Sequence, residues 1–251
     1  MVVIADREMS QTELFAEFRD SFDREIITTL ISSSQQYRYD SINQLRFELR
    51  LRKEIVNAAR DLHRSGLEFD VFRKSRRNPA YWDRTSNGGF SLREGVKPSD
   101  AILDIYRNGS MYATECATAM MIVYYKALLG VYTESQFNKL FPEIELMNWN
   151  QIDRNLREVG MMSRRADYFP GDRRYFSNPD VDPMTPEWQG ENVIQLGNGL
   201  YYGHGIGIQN ATRIIQELNE NRVYNADESA RFLDSAARPD FKRLYGFSQR
   251  N

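Results

Sequence analysis

Thr114-Glu-Cys-Ala-Thr-Ala-Met-Met-Ile-Val-Tyr-Tyr-Lys-Ala-Leu-Leu129 decides the architecture. Drawn as a helix it has almost no polar face, because Ala117, Ala119, Met120, Met121, Ile122, Val123, Tyr124, Ala127, Leu128 and Leu129 spread over the whole circumference. Such a helix belongs at the centre of a globular protein, covered on every side. Asn108-Gly109-Ser110 breaks the chain just before it, so Cys116 falls in or near the first turn. Unpaired backbone N–H groups and the helix dipole stabilise a thiolate there. Glu115 can also use the helix start, but its negative charge opposes ionisation of the thiol. A lone cysteine on an apolar helix is ordinarily a small buried hydrophobe. To act as a nucleophile it also needs a group that takes up its proton.

Outward from this helix the periodicity predicts further elements. Upstream, residues 10–24 read as one helix with Leu14, Phe15, Phe18 and Phe22 on a face. Residues 41–64 read as a second, carrying Leu45, Leu49, Val56, Ala59 and Leu62 and stopped by Gly66. Residues 80–92 read as a hairpin around Asn87-Gly88-Gly89. Lys97-Pro98 opens another helix, with Ala101, Ile102, Ile105 and Tyr106 inward. Downstream come a helix over 134–140, a strand over 174–177, and strands over 191–196 and 200–208 joined at Gly197-Asn198-Gly199. Two closing helices follow, at 211–219 and 227–237. Helices, then strands, then helices make an α+β fold rather than a βαβ array. Without a composition break, residues 1–251 read as one domain: a helical part over about 10–110, a core over about 111–210 and C-terminal helices over about 211–240.

The hairpin carries the polar groups. A two-residue Asn198-Gly199 turn pairs Gly197 with Leu200 and Val193 with His204. Glu191, Val193 and Gln195 then share a face with Tyr202, His204 and Ile206. In that register Glu191 and His204 are diagonal neighbours that meet, or that both reach a thiol on an opposing helix. A three-residue turn reverses the parity and separates them. Gly203 and Gly205 leave space on both sides of the imidazole. The plainer readings are a hydrogen-bonded strand histidine and a solvated carboxylate at a strand start. His63 sits on a charged helix face and receives no role.

Composition narrows the classes. In 251 residues, 41% are hydrophobic and 27% charged, with a net charge of −2. That balance argues against a nucleic-acid binder, and the clusters at residues 73–77, 164–165 and 173–174 read as solvated faces or docking sites for acidic partners rather than RNA contacts. One cysteine excludes a disulfide framework and a cysteine-based zinc site, and two histidines exclude most histidine-rich metal sites. No apolar run reaches the length of a membrane span. The start, MVVIADREMSQ, lacks the pattern of a signal peptide, so synthesis in the cytoplasm with a reduced thiol is expected. Only six of the 33 cationic side chains are lysine.

Several segments together resemble the bacillary spore-coat protein-glutamine γ-glutamyltransferases, the small calcium-independent transglutaminases. They are Phe47-Glu-Leu-Arg-Leu-Arg52, Tyr112-Ala-Thr-Glu-Cys-Ala-Thr-Ala119, Tyr124-Tyr125, Gly171-Asp172 with Tyr175-Phe176 and Asn178-Pro179, Trp188-Gln-Gly-Glu-Asn-Val-Ile194, and His204-Gly-Ile-Gly-Ile208. The resemblance spans residues 41–215. It implies a papain-like core of the type found in cell-wall cysteine peptidases, in which a buried helix presents the nucleophile to a small antiparallel sheet, with further helices around it. It places the nucleophile at Cys116, the general base at Glu191, a partial substitute base at Glu115 and a supporting histidine at His204.

The chemistry so implied is attack of the thiolate on a glutamine carboxamide, loss of ammonia, and capture of the γ-glutamyl thioester by a lysine amine. A carboxylate serves as base only if burial or an acidic neighbour raises its pKa toward neutrality. Aminolysis outruns hydrolysis only in a narrow apolar approach; Trp149, Trp188, Tyr201, Tyr202 and Phe69 are candidate walls. The Cys116 N–H is one expected oxyanion donor. No metal and no cofactor are expected, since the chain has no calcium-loop pattern. The expected partners are proteins bearing glutamine and lysine, spore coat proteins above all, so the expected destination is the spore surface. A scarcity of lysines would limit self-cross-linking. The competing readings are a cysteine amidase or peptidase acting on cell-wall peptide, a non-catalytic coat component, and an RNA-binding module.

Overall fold

The computed structural model describes residues 1–149 and 151–250. Strands β1 (Val2–Ile4) and β2 (Arg7–Glu8) open the chain, followed by helices α1 (Gln11–Glu17) and α2 (Ser21–Ser32), strand β3 (Tyr37–Tyr39) and the long helix α3 (Ile42–Arg64). Next come β4 (Glu68–Phe69), β5 (Trp82–Arg84), β6 (Phe90–Leu92), α4 (Pro98–Arg107) and β7 (Ala113–Thr114). The central helix is α5 (Cys116–Leu129), trailed by α6 (Glu134–Leu140) and β8 (Glu145–Leu146). Then follow β9 (Arg173–Ser177), β10 (Gly190–Gly197), β11 (Leu200–Gly203), β12 (Gly207–Asn210), α7 (Ala211–Asn219), β13 (Arg231–Phe232) and α8 (Phe241–Ser248).

The main sheet is antiparallel, in the order β12-β11-β10-β9-β13. Its strand β10 packs against α5, and α5 packs against α3. Ile122, Val123 and Ala119 of α5 share a core with Leu51, Ile55 and Leu62 of α3 and with Ile194, Leu196 and Tyr202 of the sheet. Each aliphatic side chain buried there contributes about 1.5–3 kcal/mol. The opposite sheet face, with Phe176 and Val193, is covered by Ile214 and Leu218 of α7. A further cluster joins Val2, Ile4, Leu14, Ile26 and Leu30 to Leu45 and Leu49 of α3. The fold is thus mixed α and β, with a buried helix laid on an antiparallel sheet. Among the described residues no helix is long and apolar enough to cross a membrane.

Helix α3 begins where Ser41 accepts a hydrogen bond from Gln44 N, and the chain leaves it through Gly66 at φ +83°. Four of the sequence expectations need correction. The helix over 10–24 is two helices, because Phe18 is extended and Asp20 recaps the chain by accepting from Phe22 N. Residues 227–237 are not helical. Phe232 instead stacks on Phe176 at 4.3 Å, β13 extends the sheet edge, and Ala236 and Ala237 bridge to Ser163 and Arg173. The closing helix starts later, after Pro239, where Asp240 accepts from Arg243 N. The strand over 200–208 is two strands that turn between Gly203 and Gly207.

The fourth correction concerns register. Gly197 does pair with Leu200, but an irregularity between Gln195 and Gly197 moves Val193 onto Gly203 instead of His204. This bulge reverses the parity beyond it, so Glu191 and His204 are not same-face neighbours on a regular ladder.

Candidate active site

Helix α5 starts at Cys116, and Glu115 caps it. Glu115 Oε2 accepts from Ala117 N at 2.6 Å, while Oε1 accepts from Thr118 N at 2.6 Å and from Thr118 Oγ1 at 2.5 Å. Both carboxyl oxygens are therefore committed to the first turn. Burial nevertheless holds the Glu115 pKa above the ordinary range, against the hydrogen bonds from Thr118, Ala117 and the Cys116 thiol. Cys116 is half-buried, and its thiol is pushed well up, by burial first and then by the charges of Glu191 and Glu115. Its sulfur lies 3.5 Å from Asn192 Nδ2, on the strand that packs against α5.

Glu191 is 2% exposed, and its Oε1 accepts one long hydrogen bond, 3.4 Å, from Gly205 N. Burial is the main cause that lifts its pKa from 4.5 to about 8; hydrogen bonding from Gly205 opposes the shift. The glycines around His204 thus make room for this carboxylate. A β-carbon at Gly205 would stand 3.5 Å from the Phe69 ring and 3.7 Å from Glu191 Oε2.

His204 is occupied elsewhere. Nε2 lies 3.1 Å from the Glu68 carbonyl and Nδ1 lies 3.1 Å from the Tyr202 hydroxyl. A carbonyl only accepts, so Nε2 carries the hydrogen and Nδ1 accepts from Tyr202. Burial pulls the imidazole pKa down to about 4, so the ring is neutral near pH 7. His204 ties the turn after β11 to β4 and packs 6.0 Å from Phe69.

Cys116 opens on a pocket of ≈ 430 Å³ lined by Phe69, Phe72, Trp149, Tyr175, Glu187 and Asn192, among others. Phe69 and Trp149, two of the residues expected as walls, are among its lining residues. Trp188 stands behind Phe69, ring centres 6.1 Å apart, and supports that wall. Tyr201 is not at the site: it alternates with Tyr202, which faces the α5 side, and so lies on the other sheet face, against Phe176 at 5.8 Å and Phe232 at 5.1 Å. Tyr202 is fully buried between His204 and the core. Sequence reasoning missed Phe72, Tyr175 and the side chains of Asn192 and Arg173. For Asn192 the available signal was its place beside Glu191, which aims it at the opposite face, toward α5. Among the described residues no group of three or more His, Cys, Asp or Glu gathers as a metal site.

A half-buried thiol at a helix start, a buried carboxyl with a near-neutral pKa and an aromatic cleft suit acyl transfer through sulfur. The family profile described as "Protein-glutamine gamma-glutamyltransferase" matches residues 1–248. The chain belongs to that family. Protein-glutamine gamma-glutamyltransferases of Bacillus mycoides KBAB4 and Bacillus cereus B4264 are 43% and 45% identical to it, over 91% and 86% of this chain and 82% and 78% of theirs. A solved transglutaminase from Geobacillus stearothermophilus, without its C-terminal extension, superposes with a TM-score of 0.79 at 47% identity. The match covers 84% of this chain and 100% of that one. The protein is accordingly a transferase with protein-glutamine γ-glutamyltransferase activity, acting on protein glutamine and lysine side chains.

Proposed function

We propose that this gamma-glutamyltransferase works through a Cys116 thioester, without calcium, on spore coat proteins. The observation that supports the mechanism is a buried Glu191, its pKa lifted to about 8, near enough for its charge to raise the pKa of the Cys116 thiol. Ionised Glu191 takes the thiol proton, and sulfur bonds to the glutamine carboxamide carbon. The C–N bond breaks, and the nitrogen leaves as ammonia with the proton Glu191 delivers. An incoming lysine ammonium then gives a proton to the same carboxylate and its nitrogen attacks the thioester carbon; the C–S bond breaks, the sulfur takes the second proton of the attacking nitrogen, and Glu191 releases its own to solvent. Glu191 has one weak hydrogen bond where Glu115 has three short ones, which supports Glu191 as the base and Glu115 as a lesser substitute.

Phe69, Phe72 and Trp149 give the acceptor an apolar passage that favours an amine carried on an alkyl chain over bulk water. Spore coat proteins as substrates, and the spore surface as destination, rest on the resemblance to the bacillary enzymes. The test is incorporation of a fluorescent primary amine into casein with EDTA present, with Cys116→Ala as control. Incorporation by the wild type and none by the variant is expected. A free-acid product without incorporation would make the protein a hydrolase, and activity surviving Cys116→Ala would remove the thioester. A fluorescent fusion should move to the forespore surface during sporulation. Enzyme incubated alone should show little self-cross-linking by mass spectrometry.

A further inference from the structure

Arg173 is 2% exposed and, among the described residues, has no carboxylate at ion-pairing distance. Its Nε donates to the Val159 carbonyl at 2.8 Å, its Nη1 donates to Asn192 Oδ1 at 2.5 Å, and its guanidinium lies over the Trp149 ring at 3.9 Å. A buried cation held only by neutral groups is costly. Burial brings its pKa down to about 10, which leaves it charged at neutral pH.

A guanidinium only donates, so the Asn192 carbonyl oxygen must face Arg173 and the NH₂ end must face the Cys116 sulfur. The orientation of this amide is therefore set by chemistry. The cation also polarises the amide and strengthens its remaining donor. Attack of sulfur on the carboxamide forms the S–C bond and moves the carbonyl π pair onto oxygen. That oxygen comes to lie one bond from the carbon attached to sulfur, within reach of a donor 3.5 Å from Sγ. The Cys116 N–H, first in α5, has no acceptor within the helix and is a second donor on the nucleophile's own residue.

We propose that Asn192 supplies the side-chain half of the oxyanion hole, and that Arg173 is the positioning residue that fixes its amide and answers the charge formed there. The proposal rests on Cys116 being the nucleophile. It gives the buried cation a counter-charge that exists only during the reaction, which is the condition for stabilising a transition state rather than a ground state.

The experiment compares two reactions of one thiol. Amine incorporation passes through an oxyanion; alkylation of Cys116 by iodoacetamide displaces iodide and forms none. Asn192→Ala should lower kcat by about 100- to 1,000-fold with little change in KM, while the alkylation rate stays within several-fold of wild type. Asn192→Asp keeps the size and an acceptor for Arg173, so it should fold and be similarly impaired. Arg173→Met should lower kcat in the wild-type background and add little in the Asn192→Ala background, a coupling that a purely structural role would not produce. An unchanged kcat in Asn192→Ala and Asn192→Asp, or an equal fall in transfer and alkylation, overturns the proposal. Transfer that survives Cys116→Ala would instead remove the nucleophile it rests on.

Discussion

A β-carbon built on Gly203 would stand 2.8 Å from Cγ and 2.8 Å from Oε1 of Glu191. The buried carboxylate thus lies directly over the backbone of β11, in space that only glycine leaves open. Gly203→Ala should displace Glu191 and reduce amine incorporation by roughly 100-fold or more, the scale of a lost general base. Circular dichroism should still report the native secondary structure. Wild-type turnover in this variant would mean that the carboxylate position is immaterial.

Glu191 must be ionised to take a proton, and its pKa is about 8. kcat/KM should therefore rise as pH increases through 8, about tenfold per unit on the acidic side. Glu191→Gln should remove that limb along with most of the activity. The folded state holds this proton longer than the unfolded chain does. The resulting stability is complete below the unfolded value near 4.5 and is lost as pH rises through about 8. Melting curves at pH 7 and pH 9 should thus show wild type losing more than Glu191→Gln. His204 acts in the opposite sense, but only below about 6.5, because its folded pKa is depressed to about 4.

Glu115→Gln leaves one acceptor oxygen where the helix start uses two. The loss should be of N-cap size, about 0.5–2 kcal/mol in urea unfolding. The fall in kcat should be smaller than for Glu191→Gln. The opposite ranking would transfer the base role to Glu115.

Behind the sheet, Asp172 is fully buried. It accepts from Arg52 at 2.9 Å, Arg238 at 2.6 Å and Phe169 N at 3.0 Å, and its backbone is tied to Gln195. Asp172→Ala should cost about 3–5 kcal/mol, because Arg238 would lose its carboxylate and Arg52, buried beside it, would keep only Glu48. Urea titration measures this directly, and a loss below about 1 kcal/mol would show that the cluster is not a structural anchor.

Much of this arrangement is legible in the residues. The central helix declares itself because it is apolar on all sides. α3, α6 and α7 follow from periodicity and from Ser41, Thr133 and Asn210 at their starts. Asn198-Gly199 marks the hairpin. The misreadings have local causes. Phe232, Leu233, Ala236 and Ala237 are spaced like a helix face, but they are spent on sheet pairing and ring stacking, which no short window contains. The bulge leaves no mark in composition, so the register reading fails and sets Glu191 on one face with His204. Arg173 looked like part of a surface cluster, because nothing local says that Trp149 and Asn192 will close around it.

That single surplus residue near Leu196 has an evolutionary corollary. It sets the phase of β10 relative to β11, and on that phase depend both what greases the interior and what confronts the sulfur. Exposed connections away from the site can lengthen or shorten with little effect among descendants. A one-residue insertion or deletion in β10 would exchange the two sets at a stroke, so lineages that keep the chemistry should keep this spacing.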